Sequence, residues 1–195
     1  MGQKYPFFTP ACNIYILFLD KTNKCVQFLA IDADDGLIAT AKDKLLDDNI
    51  DYFTRNSIHF STLNLMDIDN VNEVFKEYLN RFQKEQFDLM FCFSVTMWIH
   101  LNHGDDGLEL FFKTAKKWCK YLVLEPQPWK CYRTASRRMR RANQPDFEYL
   151  NKIKYQCDKL LPYITNMCVN CGFAVKQVFG ETGWKRPIIL FESVI

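Results

Sequence analysis

An α/β fold, with a doubly wound sheet that closes in an antiparallel hairpin, is predicted for this chain by three observations. From residue 25 onward, short apolar runs alternate with stretches of helical apolar spacing, the pattern of strands separated by crossover helices. Most of these runs end in a polar residue, giving Asp32, Asn64, Ser94 and Glu125 at the expected carboxyl ends of strands. The last two runs are joined only by the turn "GETGWK". On such sheets ligands bind beyond the carboxyl ends of the strands.

"CVQFLAID" (25–32) reads as a buried strand ending in an acid. "GLIATAKDKLL" (36–46) has helical spacing, with Asp34 or Asp35 as its N-cap. "SIHFSTLNL" (57–65) is expected as a strand and 69–83 as an amphipathic helix. "FDLMFCFSV" (87–95) has almost no polar face, as expected where both sides of a sheet are covered. The segment 94–107 reads as a connection, 105–119 as the next helix and "KYLVLE" (120–125) as the next strand. Residues 146–171 are expected to be mostly helical, ending at Gly172 in a C-cap position. The closing strands are "FAVKQVF" (173–179) and "RPIILFES" (186–193).

A chain of 195 residues with 48% hydrophobic and 25% charged residues suits one soluble domain. The 17 Phe, 9 Tyr and 4 Trp are mostly core and by themselves say nothing about ligands. Eight cysteines are scattered, several inside apolar runs, and read as free thiols of a reducing compartment. Cys168 and Cys171 form the one close pair, and no second pair or nearby histidine completes a zinc site. "NIYILFL" is too short for a membrane span and is followed at once by Asp20 and Lys21. The chain is therefore expected to be monomeric and cytoplasmic, with a nuclear location left open, and to use neither metal nor membrane.

Charge is the informative anomaly. The net charge is only +2, yet Lys130, Arg133, Arg137, Arg138, Arg140 and Arg141 fall within twelve residues with no acid among them. Without these six the 25 Lys/Arg fall to 19, against 23 Asp/Glu. A solvated helix face normally mixes signs, whereas an unmixed cluster beside a sheet edge suits phosphate. "EPQPWK" (125–130) leads into it, and its two prolines stiffen the segment that carries Trp129 and Lys130. "SVTMWIHLNHGDDG" (94–107) crowds Thr96, Trp98, His100, Asn102 and His103 into one stretch after the most buried strand. Asp32 is either an acceptor for ribose hydroxyls or a helix cap, a duty that Asp34 and Asp35 can also fill.

"FDLMFCFSVTMWIHLNHGDDGL" followed by "YLVLEPQPWKCYR" resembles the bicoid-interacting-protein type of S-adenosylmethionine-dependent RNA methyltransferase, over roughly residues 25–195. It is most similar to the branch that methylates RNA 5′-monophosphate ends, a relative of the methylphosphate capping enzymes. The resemblance implies a class I methyltransferase (Rossmann-like) fold acting on a small RNA such as a transfer RNA or a microRNA precursor. It places Asp32 at the cofactor ribose and Asn64 and Leu65 at the adenine. Ser94, Thr96 and Trp98 fall beside the methyl group, and Glu125 to Lys130 at the catalytic edge. Attack by a phosphate oxygen, already an anion, needs alignment and charge more than a strong base. Lys130 and Arg133 are the expected grips on the phosphate, with His100 as a further donor. Glu125, Trp129, Arg137, Arg138, Arg140 and Arg141 are expected to contact the RNA, with Trp98 or Trp129 flanking the sulfonium or stacking a base.

One departure stands at the N-terminus. The family pattern there is an apolar strand and an Asp-x-Gly-Cys-Asn-x-Gly loop packed against the methionine part of the cofactor. This chain offers "PACNIYILFLD", with Cys12-Asn13 as a remnant and no glycine between Gly2 and Gly36. Residues 1–24 are thus expected to be an atypical segment in which the first strand and glycine-rich loop are missing or degenerate. A truncated enzyme and a catalytically impaired RNA-binding relative both follow from that departure. A small-molecule methyltransferase is disfavoured by the arginine cluster.

Overall fold

The computed structural model describes residues 14–20, 25–46 and 52–194. They belong to two compact units that divide at Phe91/Cys92. Among the described residues no helix is long and apolar enough to cross a membrane.

The N-terminal unit holds β1 (Ile14–Asp20), β2 (Cys25–Asp32), α1 (Asp35–Leu45), α2 (Tyr52–Ser57), β3 (Ile58–Thr62) and α3 (Ile68–Asn80). Strand β4 (Phe87–Phe93) begins in it. Strands β2 and β3 are parallel and flush at their carboxyl ends, with Asp32 opposite Thr62. Ile38 of α1 packs on Ala30, Ile58 and Phe60. Phe75 and Tyr78 of α3 meet the Phe87 ring at 5.2 and 6.1 Å. The expected strands and helices are all found here: β2 has the expected bounds, α1 is shifted by one residue, β3, α3 and β4 end earlier than expected, and α2 is an addition that the sequence pattern did not single out.

Strand β1 is the informative element. The place beside β2 is filled, but by a strand of opposite direction, with Ile14 opposite Ile31 and Asp20 opposite Cys25. A strand running this way delivers its carboxyl end to the edge opposite Asp32. No strand-to-helix loop can leave from it at the Asp32 edge. Cys12 and Asn13 lie outside the described residues.

The C-terminal unit is built from α4 (Thr96–Trp118), β5 (Cys119–Glu125), α5 (Trp129–Arg141), α6 (Leu160–Asn170), β6 (Phe173–Glu181) and β7 (Pro187–Ser193). Strand β7 pairs antiparallel with both β5 and β6, so the expected hairpin closes the sheet. Leu122, Leu124, Phe173 and Phe191 are buried in its core.

Two expectations change in this unit. The stretch read as a connection is helical from Thr96, and α4 bends at Gly104, whose φ of 68° and ψ of −167° break the helix. Glycine is required there twice over. The left-handed φ is one that side chains resist, and a Cβ would stand 2.6 Å from the Tyr149 ring. Residues 146–156 form turns rather than helix, and regular structure resumes only with a short 3-10 turn at Cys157–Lys159 and α6. The repeat that imitated a helix is real as burial: Phe147, Leu150 and Ile153 all point inward from the turns. Gly172, with φ of 96°, ends α6 as expected.

Candidate functional site

In the N-terminal unit the parallel edge collects Asp32, Asn64 and Leu65. Asp34 takes the cap of α1, accepting from the amides of Gly36 and Leu37 at 2.8 and 3.1 Å. Asp32 is released from that duty. Its Oδ1 accepts the Asp34 amide at 2.9 Å, and its carbonyl accepts the Leu63 amide at 2.8 Å. Burial raises the Asp32 carboxyl above its ordinary value, the backbone amide of Asp34 opposing that rise. The raised value has a sign. The ionised form costs stability in the fold, and that cost grows as pH rises through the carboxylate range. A half-buried carboxylate at a sheet's carboxyl edge, unneeded as a cap, suits a hydroxyl-bearing ligand better than it suits the fold. Asn64 is exposed and closes its own turn, Oδ1 accepting the Met66 amide at 3.0 Å, while Leu65 is buried.

The C-terminal unit carries a second cluster around Glu125. Ser94 sits at φ 59°, in the left-handed region, and its Oγ donates to Glu125 Oε2 at 2.8 Å. Arg186, which follows the turn between β6 and β7, reaches back to donate from Nη1 to Ser94 Oγ at 2.5 Å. The same nitrogen pairs with Glu125 Oε2 at 3.4 Å, and Nη2 lies 3.8 Å from Cys131 Sγ. Gln127 completes the cluster. It donates to the Ser94 carbonyl at 2.7 Å and accepts from the Met97 amide at 3.3 Å and from Thr96 Oγ1 at 3.5 Å. Thr96, Glu125 and Gln127 are all buried. Ser94, Thr96 and Glu125 are thus brought together, but facing inward onto one another. Gln127 falls within the expected 125–130 stretch without having been singled out, and Arg186 is the member that sequence reasoning did not find.

His100 takes a different place from the one expected. It is wholly buried, with Nε2 3.0 Å from Asp105 Oδ1 and Nδ1 3.2 Å from the Tyr132 hydroxyl. Burial pushes its pKa below the usual imidazole value, against the pull of Asp105. A neutral ring beside an acceptor-only carboxylate carries its proton on Nε2, assigned here from the partners, so Nδ1 accepts from Tyr132. Both nitrogens are spent, which leaves no donor for a phosphate. The residue instead links α4 to α5 through Tyr132. His103 is exposed.

The basic segment is the helix α5, and helical geometry sorts its charges. At about 100° per residue, Trp129, Arg140, Arg133, Arg137, Lys130, Arg141 and Arg138 follow one another round one half of the helix. Tyr132, Ala135 and Ser136 are buried on the other side. All six cations are exposed. Arg133, Arg137 and Arg140 line an open groove of about 420 Å³ together with Trp129, Leu150 and Asn151. Trp129 is held from behind, its ring stacked on Tyr132 with centroids 5.4 Å apart. One acid shares the groove: Asp146 accepts from Ser136 Oγ at 2.7 Å and stands 4.0 Å from Arg140 Nε. Lys130, Arg141 and Arg138 continue the cationic half of the helix past the residues that line the groove. Trp98 is half-buried against Phe147, with centroids 6.1 Å apart. Groove and cationic face together can seat an anionic group with an aromatic wall beside it.

The chain is 39% identical over 169 residues to a pre-miRNA 5′-monophosphate methyltransferase of Xenopus laevis, covering 86% of this chain and 63% of the relative. It is 38% identical over 138 residues to the RNA 5′-monophosphate methyltransferase of Rattus norvegicus, covering 71% and 48%. The chain thus spans between about half and under two thirds of the length of these relatives. In fold it is similar to the methyltransferase domain of bacterial CtHen1-C, with a TM-score of 0.54 at 16% identity over 87% of this chain and 78% of that one. The family model described as Bicoid-interacting protein 3 (Bin3) matches residues 87–193, from the start of β4 through Arg186 to the last residue of β7. This chain belongs to the Bicoid-interacting protein 3 family.

Proposed function

We propose that this chain methylates the 5′-phosphate of a small RNA, a transfer RNA or a microRNA precursor, with S-adenosylmethionine as the donor. The observation that carries the reading is the unmixed cationic half of α5 and its aromatic-walled groove, in a family whose relatives are named for RNA 5′-monophosphate methylation. Arg133 has the planar fork that grips phosphate oxygens in pairs, and Lys130 adds a point charge one helical step away. Trp129 offers its free face to the terminal base. Arg137 and Arg140 continue the grip along the groove, and Arg138 and Arg141 meet the chain beyond it.

S-adenosylmethionine, when bound, supplies an electrophilic methyl group. Among this chain's residues Asp32 fits the ribose of such a cofactor, since it stands half-buried at the carboxyl end of β2 and is not needed as a cap. Asn64 and Leu65 stand at the same edge, a polar and an apolar neighbour for the base. The phosphate oxygen needs no general base, so the residues of α5 act by holding it in line and balancing its charge. This removes the need for His100.

A second reading, an RNA-binding relative without methyl transfer, is favoured by one observation. Strand β1 runs against β2, so no glycine-rich strand-to-helix loop leaves it at the Asp32 edge. Calorimetry with S-adenosylhomocysteine separates the two. The unaltered chain is expected to bind it, and Asp32→Ala to weaken binding at least about ten-fold through loss of charge-assisted hydrogen bonds. RNA affinity should stay within about two-fold, because the cations are elsewhere. No cofactor binding by the unaltered chain, with RNA binding intact, would establish the second reading.

A further inference from the structure

The tip of the β6–β7 hairpin has a feature the proposed methyl transfer does not use. Trp184 is 71% exposed, an unusual position for the largest apolar side chain. The residue is not loosely presented. The Arg186 guanidinium lies over its ring, 5.4 Å from the centroid. That guanidinium is itself fixed to Ser94 and Glu125 at the ends of β4 and β5. The turn is closed by Thr182, whose amide donates to the Arg186 carbonyl and whose own carbonyl accepts from Lys185, both at 2.8 Å. Lys185 takes a left-handed φ of 57° within that turn. The result is an exposed indole on a closed turn, with an anchored cation over its ring.

Its neighbourhood carries cations together with an exposed acid, Glu181 at the end of β6. Arg186 Nη2 reaches Cys131, which follows Trp129 and Lys130 in the first turn of α5. Lys185 is exposed beside it. The hairpin tip thus lies beside the first turn of the basic helix. A protein partner would meet exposed apolar residues there as well, Phe179 among them. The charge of the basic helix alongside, rather than that of the tip itself, favours a polyanion, and an aromatic face beside cations is how single-stranded nucleic acid is held without reading its sequence.

We propose that Trp184, backed by the anchored Arg186, is a stacking platform for an unpaired nucleobase of the RNA bound along α5. This rests on the proposed function and adds to it a substrate class: RNAs whose 5′ region presents at least one unpaired base. In a fully paired flush end every base is paired and stacked, and only the outer face of the terminal pair stays open, tied to the duplex axis, so no base can be turned onto the platform by itself.

The test is fluorescence anisotropy with two labelled 5′-monophosphate RNAs, one hairpin with a short unpaired 5′ extension and one with a flush 5′ end. Trp184→Ala is expected to weaken binding of the extended RNA roughly ten-fold and to leave the flush RNA within about two-fold. Its salt dependence should not change, since no phosphate contact is lost. Trp184→Phe, which keeps a π face, should retain most of the affinity. Because the ring is exposed, the variants should fold as the parent does, and circular dichroism checks this. Equal losses on both RNAs, or no loss on either while the parent binds both, would overturn the proposal and leave the function reading standing. In the no-loss case the tip would be assigned to a protein partner. Failure of the unaltered chain to bind either RNA would overturn the function reading and the platform with it.

Discussion

Alanine at Arg133, Arg137 and Arg140 together is expected to lower affinity for a 5′-phosphorylated RNA by about a hundred-fold or more at low salt. It should also flatten the dependence of log affinity on log salt by about two units or a little more, because each phosphate contact releases somewhat under one counterion. The three are chosen by geometry. They share the arc of α5 that lines the groove with Trp129, whereas Lys130, Arg138 and Arg141 continue round the helix away from it. Charge alone would make any three cations equivalent. A triple replacement of Lys130, Arg138 and Arg141 is therefore the control. It should flatten the salt dependence by a similar amount while costing markedly less affinity at high salt, where only groove contacts persist. Titrations of both variants at several salt concentrations check this, and equal behaviour would mean that the groove has no role of its own.

The second large effect lies in the Glu125 cluster. Arg186→Met is expected to destabilise the protein by about 3 kcal/mol or more, measured by urea unfolding. Glu125 is only 6% exposed at its side chain, so its carboxylate would keep Ser94 Oγ and lose its only counter-charge among the described residues. Among the described residues Arg186 Nε already has no partner, and the guanidinium is held there by its two terminal nitrogens. Removing both charges should recover much of the loss. The Arg186→Met/Glu125→Gln double variant keeps the shape of the cluster without an unpaired ion. A double variant no more stable than the single one would show that packing of the arginine stem, rather than its charge, secures the hairpin.

Strand and helix alternation was legible because burial writes it plainly. Strands β2 and β4 are apolar runs closed by polar residues, and α3 spaces Val71, Phe75, Tyr78 and Leu79 at helical intervals. The start of α4 was missed because Gly104 and Gly107 and the polar residues around them imitate a loop. A helical spacing was present in Met97, His100, Leu101, Gly104 and Leu108, all buried. The opposite error at 146–156 came from apolar residues three apart on turns. The direction of β1 was illegible, since an apolar run reads the same whichever way the strand lies in the sheet.

The candidate site was legible where charge concentrates and illegible where partners are distant in sequence. Six cations in twelve residues announce themselves. Arg186 looked like the first residue of a strand, and its partner Glu125 lies 61 residues earlier. The usable signal was on the other side: an acid closing a buried strand requires a counter-charge, and the search for one could have reached Arg186. His100 misled for a related reason, because its partner Tyr132 lies 32 residues away.

Methyl transfer itself is most directly measured by mass spectrometry of the 5′-terminal nucleotide after incubation with S-adenosylmethionine. Two RNAs of one sequence are compared, one with a 5′-monophosphate and one with a 5′-hydroxyl. The expected result is added methyl on the 5′-phosphate of the first and none on the second, with the signal lost in the Arg133, Arg137 and Arg140 triple variant. Equal methylation of the 5′-hydroxyl RNA, or no methylation of either by a chain that binds both RNA and cofactor, would contradict it.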